Sequence, residues 1–327
     1  MLRAFDIPWR TQIGFDARRS SAGPVPFVSM ADLDTSPDDH VTVGDDWSKG
    51  LILTVRSPDR VGIVASLASS IQAAGGNIVE LDQHADVVEG DFGCRVEVAE
   101  GVDALELARR LDVIQSSLPM IYTMTPIARR RSRAAVLCSS TLHCPSDLIA
   151  RSAIGQLDCE VIALVSDRTA ARELAQRYGV PFTHLPVGED RAEQERQLGD
   201  VLDELDPDLI VLARYMRVLP AWLVLRYEQR IINIHHSFLP AFVGSNPYAR
   251  AHERGVKIIG ATAHYVTADL DAGPIIAQDV VHISHRDDVA GMTRRGADIE
   301  RSVLATAIRL HLEQRVIVFG SRTCVFD

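Results

Sequence analysis

Short, almost wholly apolar runs alternate with helix-forming stretches through the second half of this 327-residue chain. A strand that is buried on both faces is apolar at nearly every position, so such runs are typical of a parallel sheet covered by helices. The runs lie at residues 134–138, 160–166, 209–212 and 231–234, and the helical stretches at 146–154, 169–178, 191–205 and 294–314. Because parallel neighbours need a crossover between them, this alternation predicts a parallel-rich, Rossmann-like α/β sheet.

The first half of the chain has a different order of elements. A strand at residues 51–55 precedes a helix that begins near Val61 and is closed by Gly75 and Gly76. Two strands, a second helix and a last strand follow at residues 77–84, 92–98, 103–116 and 121–126. The order βαββαβ predicts a ferredoxin-like domain. The predicted organisation is an irregular arm at 1–48, a ferredoxin-fold domain at 49–128, a linker at 129–133 and an α/β domain at 134–327.

Charge and composition exclude several classes of function. The net charge of -10 and the pI of about 5.6 oppose binding to a nucleic-acid backbone or an anionic membrane, since either partner requires a concentrated basic face. The one dense basic run, residues 129–133, is short and is interpreted as a solvated linker. No apolar run approaches the ~20 residues of a membrane span, and residues 1–6 lack a secretory apolar core. We therefore expect a cytoplasmic protein.

The cysteines and histidines do not follow a metal-binding pattern. The five cysteines are odd in number and contain no CxxC pair, which argues against a disulfide framework and against a thiolate zinc site. The histidines form neither an HxH nor an HExxH pattern. We expect reduced thiols, no metal and no permanently bound cofactor.

The candidate active site centres on residues 233 to 235. Asn233 and His235 are two apart in an apolar run, so a strand there presents both side chains on one face. Pro240 follows the run, and open α/β sheets bind ligands just beyond their strand ends. Asp271 precedes the apolar run 274–276, and a turn there would return its carboxylate to the same end. The three groups suit attack on a carbonyl carbon: Asn and protonated His stabilise the oxyanion, while Asp orients the His or moves a proton.

Three segments closely resemble the formyltetrahydrofolate deformylase family. They are Asn-Ile-His-His-Ser-Phe-Leu-Pro-Ala-Phe (233–242), Gly-Val-Lys-Ile-Ile-Gly-Ala-Thr-Ala-His-Tyr-Val (255–266) and Leu-Asp-Ala-Gly-Pro-Ile-Ile (270–276). The resemblance covers about residues 50–325. It implies an ACT domain, whose opening and continuation residues 57–64 and 75–79 resemble, followed by a formyltransferase domain. It also implies hydrolysis of 10-formyltetrahydrofolate to formate and tetrahydrofolate, the formate supplying purine synthesis.

The same resemblance assigns roles to individual residues. Asn233, His235 and Asp271 match the catalytic trio of the wider formyltransferase superfamily, and we assign supporting roles to His264 and His236. Two loops, 212–219 and 268–271, match those that bind the pterin ring, and the folate-binding residues are expected to be Met216, Arg217, Val218, Leu219, Asp269 and Leu270. The implied partner is a folate substrate.

Residues 139–147 favour water as the formyl acceptor. Transferases that act on a phosphorylated amine resemble each other in a glycine-rich nest at this point, where backbone N–H groups hold the phosphate. This chain has Ser-Ser-Thr-Leu-His-Cys-Pro-Ser-Asp instead, and His236 replaces the proline usual in transferases. Ala249, Ala272 and Ala277 stand where we expect His, Glu and a larger residue in the family. An N-formyltransferase that acts on a specialised amine therefore stays open as an alternative.

The ACT-like half adds a third interpretation. Asp59, Arg60 and Gly62 lie in a turn that is either an ordinary strand-to-helix connection or a site for a small amino-acid effector. A non-catalytic sensor, with an effector here and folate in the second half, is the interpretation least compatible with an intact catalytic trio. ACT-type halves often pair edge to edge, so a homo-oligomer is expected by analogy.

Overall fold

The computed structural model describes residues 46–239 and 247–327, so the predicted arm lies almost wholly outside the described residues. The strands are β1 Asp46–Pro58, β2 Ile78–Asp86, β3 Asp91–Val98, β4 Ile121–Ala128, β5 Ser132–Cys138, β6 Cys159–Ser166, β7 Phe182–His184, β8 Leu209–Leu212, β9 Ile231–His235, β10 Ile258–Tyr265, β11 Ile275–His282, β12 Val316–Phe319 and β13 Arg322–Val325. The helices are α1 Ile63–Ala73, α2 Ala104–Gln115, α3 His143–Ala153, α4 Arg172–Tyr178, α5 Arg191–Leu205, α6 Ala221–Arg226, α7 Pro247–Glu253 and α8 Val289–Leu312.

The first sheet is antiparallel, with the strand order β2-β3-β1-β4. Along β1, Leu51, Leu53 and Val55 are buried while the residues between them are half-buried. This period of two puts one face of the sheet against α1 and α2, whose Leu67 and Leu107 belong to the same apolar core. The predicted ferredoxin-like fold of this half is confirmed.

The second sheet has the order β11-β10-β9-β8-β5-β6-β7. Strands β5 to β9 run parallel, and β10 and β11 add an antiparallel edge. Helix α8 packs an apolar stripe that includes Ile299, Val303 and Ile308 into the core of this domain. The predicted parallel-rich α/β domain is therefore confirmed.

Several elements differ from the sequence prediction. Helix α1 begins at Ile63 rather than near Val61, because Gly62 has φ 95°, which a right-handed helix cannot contain. Helix α8 begins at Val289, five residues before the predicted start at residue 294, because the Asp288 carboxylate caps it by accepting from the Gly291 N–H at 2.6 Å. The strands β7 and β10 to β13 and the helices α6 and α7 were not predicted. Strand β1 includes residues 46–48 of the predicted arm, and β5 includes residues 132–133 of the predicted linker.

The two sheets are joined through the end of the chain. The Arg95 side chain, which is 3% exposed, pairs with Glu80 at 2.7 Å and donates from Nε to the Glu313 carbonyl at 3.3 Å. Arg56 of β1 donates to the Val318 carbonyl of β12 at 2.7 Å. The Arg95 bond ties the residue that follows α8 to the first sheet, and the Arg56 bond ties the β12–β13 hairpin to it. Within residues 46–239 and 247–327, no helix combines the length and the apolar character needed to cross a membrane.

Candidate active site

Asn233 and His235 lie at the carboxyl edge of the parallel strands. Strand β9 runs parallel to β8, and Asn233 is opposite Leu212, the last residue of β8. His235 lies two residues further on, so its side chain projects from the same face beyond the end of β8. This is the edge at which open α/β sheets bind ligands. The predicted shared face is therefore present.

His264 faces Asn233 across the antiparallel pair β9–β10. Its Nδ1 is 2.8 Å from the Tyr265 carbonyl oxygen, which can only accept, so Nδ1 carries the ring proton. The Nε2 atom is then an acceptor for the Asn233 amide, 3.1 Å away. Burial lowers the pKa of His264, which keeps the ring neutral and this pattern of donors intact.

Asp271 returns to this edge from the loop between β10 and β11. Its Oδ2 is 3.3 Å from His235 Nδ1, and its Oδ1 is 3.8 Å from His264 Nε2. The hydrogen bond with His235 holds the pKa of the Asp271 carboxyl below its usual range, against the opposing effect of burial. The structure thus brings together all three residues of the predicted trio and the supporting His264.

Two backbone features shape this loop. Asp271 has φ 54°, in the left-handed region that few residues other than Gly, Asn and Asp adopt. Gly273 is buried against the backbone carbonyl of Tyr265, where a Cβ atom would clash. The loop therefore follows β10 so closely that the Tyr265 N–H donates to the Pro274 carbonyl at 2.9 Å. Glycine in the Leu-Asp-Ala-Gly-Pro segment is required by this close approach.

His236 continues the site away from Asp271. Its ring stacks on that of His235, with centroids 5.2 Å apart, and lies 6.4 Å from the ring of Tyr248 on α7. Burial and the nearby charge of Arg214 lower the pKa of His236 to about 4. His236 is therefore neutral at physiological pH.

A buried carboxylate, not anticipated from the sequence, lies next to these histidines. Glu300 of α8 is 1% exposed. Its carboxylate accepts from the Tyr248 hydroxyl at 2.7 Å, contacts His143 Nε2 at 2.9 Å and lies 3.6 Å from Arg214 Nε. Burial opposes ionisation of Glu300, but the His143 bond and the Arg214 charge hold its pKa below the usual range. The signal in the sequence was an acidic residue directly after Ile299, within the apolar stripe of α8.

The same cluster includes a set of metal-ligand types. His143, Cys144 and Glu300 have ligand atoms within 4.8 Å of one another. Burial raises the pKa of the Cys144 thiol, so the sulfur is protonated, and the Arg214 guanidinium already faces Glu300. A cation would have to displace these partners, so the cluster suits a hydrogen-bonded network better than a metal site.

The predicted folate loops flank the trio. The loop after β8 is anchored by the Met216 N–H, which donates to Ser139 Oγ at 3.1 Å, and by Arg217, which pairs with the buried Asp167 at 3.1 Å. Met216 and Val218 are exposed, while Leu219 is buried. Asp269 and Leu270 are exposed and directly precede Asp271 in the second loop. The predicted effector residues Asp59, Arg60 and Gly62 lie in an exposed turn of the first domain.

An open α/β sheet with an Asn, a His and an Asp at its carboxyl edge defines a protein of the formyltransferase type. The family described as Formyl transferase matches residues 132–308. Relatives match a larger share of the chain: the formyltetrahydrofolate deformylase of Bacillus subtilis (strain 168) is 43% identical over 286 residues, which cover 85% of this chain and 94% of that protein. This chain belongs to the formyltetrahydrofolate deformylase family.

Solved structures agree with this assignment. A formyltetrahydrofolate deformylase from Pseudomonas syringae pv. tomato str. DC3000 has a TM-score of 0.82 and 40% identity, covering 85% of this chain and 95% of that one. Glycinamide ribonucleotide transformylase 1 from Symbiobacterium toebii has a TM-score of 0.58 and 34% identity, and covers 61% of this chain and 95% of its own. The similarity to the transformylase is therefore partial, whereas the similarity to the deformylase extends over both domains.

Proposed function

We propose that this protein hydrolyses 10-formyltetrahydrofolate to formate and tetrahydrofolate, with Asn233, His235 and Asp271 as catalytic residues. The observation that carries the proposal is the contact of Asp271 with His235, 3.3 Å, beside the Asn233 amide at the ligand-binding edge of the sheet. Membership of the deformylase family over both domains supports water as the acceptor.

The arrangement suggests the following steps. The pterin docks between residues 212–219 and 268–271, and the formyl carbon faces Asn233 and His235. Water attacks this carbon while Asp271 keeps His235 cationic or takes the proton of the water. The Asn233 amide and His235 donate hydrogen bonds to the oxyanion, and the C–N bond then breaks with proton transfer to the folate nitrogen. Every species in this scheme is substrate, water or product, and no bound cofactor takes part.

The experiment that tests this function uses 10-formyltetrahydrofolate in buffer without an amine, with tetrahydrofolate and formate measured together. Equal release of both is expected. Asp271→Asn should reduce turnover by roughly 10²- to 10³-fold, because it removes the anion beside His235, while folate still binds. Asp279→Asn, at an exposed position of β11, serves as the matched control and should retain the wild-type rate. Near-normal turnover by Asp271→Asn would refute the assignment.

The main alternative is transfer of the formyl group to a specialised amine. Ala249 and Ala272 are exposed, which would leave room beside the site for such an acceptor. A second arm of the experiment therefore adds a panel of amines and searches for a formylated product by mass spectrometry. Folate binding without formate release, together with a formylated amine, would replace the hydrolase with a transferase.

For the first domain we propose a small amino-acid effector at Asp59, Arg60 and Gly62, and assembly into a homo-oligomer. The turn is exposed, with Gly62 at φ 95°, and the hydrogen bond from the Asp59 N–H to the Gly90 carbonyl at 2.7 Å holds it in place, so its side chains are open to such a ligand. Binding of amino acids to the full chain by calorimetry, compared with Asp59→Asn, tests the effector. Light scattering tests the assembly.

A further inference from the structure

A cavity of about 1050 Å³ lies between the two domains, away from the catalytic trio. On one side it is lined by β1 and β4 of the ACT-like sheet. On the other side it is lined by Ser132 and Leu209, which begin β5 and β8, and by Arg230, which directly precedes β9. These are the amino ends of the parallel strands, whereas Asn233 and His235 lie at the carboxyl ends. The cavity and the candidate active site thus occupy opposite edges of one sheet.

The lining of the cavity is positively charged although the protein is acidic overall. It contains the guanidinium groups of Arg56, Arg129, Arg130 and Arg230, against the carboxylates of Asp46 and Asp208. The net formal charge of the lining is therefore +2, in a chain whose net charge is -10. Asp208 is already paired with Arg130 at 2.6 Å.

Three of these arginines are held in place without a carboxylate partner. Arg56 donates to the Val318 carbonyl, Arg129 donates to the Leu312 carbonyl, and Arg230 stacks on the Tyr227 ring at 4.8 Å. These partners are neutral, so they do not compensate the positive charge of the three guanidinium groups. In the part of the chain that the structure describes, no ion pair joins any of the three to another residue. The three arginines lie on β1, in the linker and just before β9, and all three line the same cavity.

We propose that this interdomain cavity binds a small anionic metabolite through Arg56, Arg129 and Arg230. Guanidinium groups in a partly enclosed space bind phosphate or carboxylate oxygens with charge-assisted hydrogen bonds. The hydroxyls of Thr54 and Thr123 are hydrogen-bonded to each other at 2.6 Å in the same wall, so one of the two O–H groups is left as a neutral donor. The ligand would contact both domains at once, so its binding would fix the ACT-like domain against the α/β domain.

The cavity is also connected to Asn233, through Tyr265 and His264. Tyr265 lines the cavity, and its hydroxyl is 2.8 Å from His311 Nδ1. The backbone carbonyl of Tyr265 accepts the His264 Nδ1 proton, and His264 in turn holds the Asn233 amide. A ligand that shifts Tyr265 would therefore change the orientation of Asn233. This regulatory part of the inference rests on the proposed hydrolase function, whereas the binding part does not.

Titration calorimetry on the full chain at low ionic strength tests the binding part, with inorganic pyrophosphate as the phosphate probe and citrate as the carboxylate probe. We expect one site per chain for at least one probe, and the probe that binds identifies the anionic group. Arg56→Gln and Arg230→Gln should each weaken binding about tenfold or more, because each removes a charge-assisted bond. Arg172→Gln is the matched control, since Arg172 also stacks on a ring, Phe182, but lies outside the cavity lining.

The outcomes separate this inference from the proposed function. Unchanged thermal unfolding of the variants, together with weakened binding only in Arg56→Gln and Arg230→Gln, would support the site. Failure of both probes to bind the wild type at millimolar concentration, or equal weakening by Arg172→Gln, would overturn it even if the protein hydrolyses the folate. Regulation is supported if the bound probe changes the hydrolysis rate of the wild type and not of Arg230→Gln. A bound probe that leaves the wild-type rate unchanged contradicts regulation but not binding.

Discussion

The Asn233 amide and the His264 ring lie opposite each other on β9 and β10, with Nδ2 and Nε2 3.1 Å apart. Because the Tyr265 carbonyl holds the His264 proton on Nδ1, Nε2 can only accept. The orientation of the Asn233 amide is thereby fixed, with one N–H directed at His264. The second N–H of the amide is left as a free donor. In the proposed mechanism it binds the developing oxyanion, and His264 is then its positioning residue.

Replacing His264 with Leu should therefore lower kcat about tenfold while changing KM much less. The substitution leaves Asn233 in place but removes the acceptor that orients it, so the donor is present in the wrong orientation for part of the time. Steady-state kinetics with 10-formyltetrahydrofolate measures this split. His285→Leu, at an exposed position, is the control. A rise in KM as large as the fall in kcat would instead indicate that His264 contributes to substrate binding.

Much of the fold was predictable because burial leaves a periodic trace in the sequence. Strand β8 and helix α5 have the predicted bounds, since a fully apolar run and a capped amphipathic stretch each have clear ends. Strand β11 was missed because the polar pair Gln278 and Asp279 interrupts its apolar run in the middle, as an antiparallel edge strand permits. A strand as short as β7, which has three residues, leaves no periodic pattern in the sequence, because its formation depends on the neighbouring strand with which it pairs.

The proximity of the candidate site residues was partly predictable from the sequence, but the contacts among them were not. Asn233 and His235 share a face because of their spacing, which any strand would impose. The approach of Asp271 depends on a left-handed backbone conformation and on the buried Gly273, which no periodicity signals. Glu300 is distant in sequence from every residue it contacts, so only the packing of α8 against α3 and α7 brings it to the site.

His236 should make the stability of the protein depend on pH. Its folded pKa of about 4 is lowered from 6.5, so between these values the unfolded chain binds a proton that the folded chain does not. Stability therefore rises with pH from 4 to 6.5, and the contribution of this residue over that range is about 2 to 3 kcal/mol. Urea unfolding at pH 5 and at pH 7 samples the upper part of this range, so the difference between the two free energies should shrink by about 2 kcal/mol in His236→Asn.

The control for this pH dependence is His285→Asn. His285 is exposed, so its replacement should leave the difference between the two pH values as in the wild type. The quantity to compare is the difference in the free energy of unfolding between pH 5 and pH 7. The absolute stability is not used, because any substitution at a buried position lowers it to some extent. If His236→Asn leaves this difference unchanged, burial of His236 is not the cause of the pH dependence.

Gly273→Ala should reduce hydrolysis by displacing Asp271. A Cβ atom at residue 273 would clash with the Tyr265 carbonyl, and this clash involves rigid backbone, so the loop must move away from β10. The Asp271 carboxylate then loses its contact with His235, and we expect turnover to fall at least tenfold. The stability cost should be about 1 to 3 kcal/mol. Gly188→Ala, where a Cβ atom meets only ordinary van der Waals contact, should affect neither quantity; wild-type turnover in Gly273→Ala would contradict this account.

Glu300→Ala should destabilise the protein by about 3 to 5 kcal/mol, the range found when one partner of a buried ion pair is removed. The substitution leaves the Tyr248 hydroxyl, His143 and the Arg214 guanidinium without their shared acceptor, and Arg214 Nε already has no hydrogen-bond partner among the described residues. Denaturant unfolding measures the loss. Asp298→Asn, on the same helix with its side chain 69% exposed, should change stability by less than about 0.5 kcal/mol. A loss for Glu300→Ala as small as for this control would contradict the prediction, because it would show that the buried carboxylate is not required for stability.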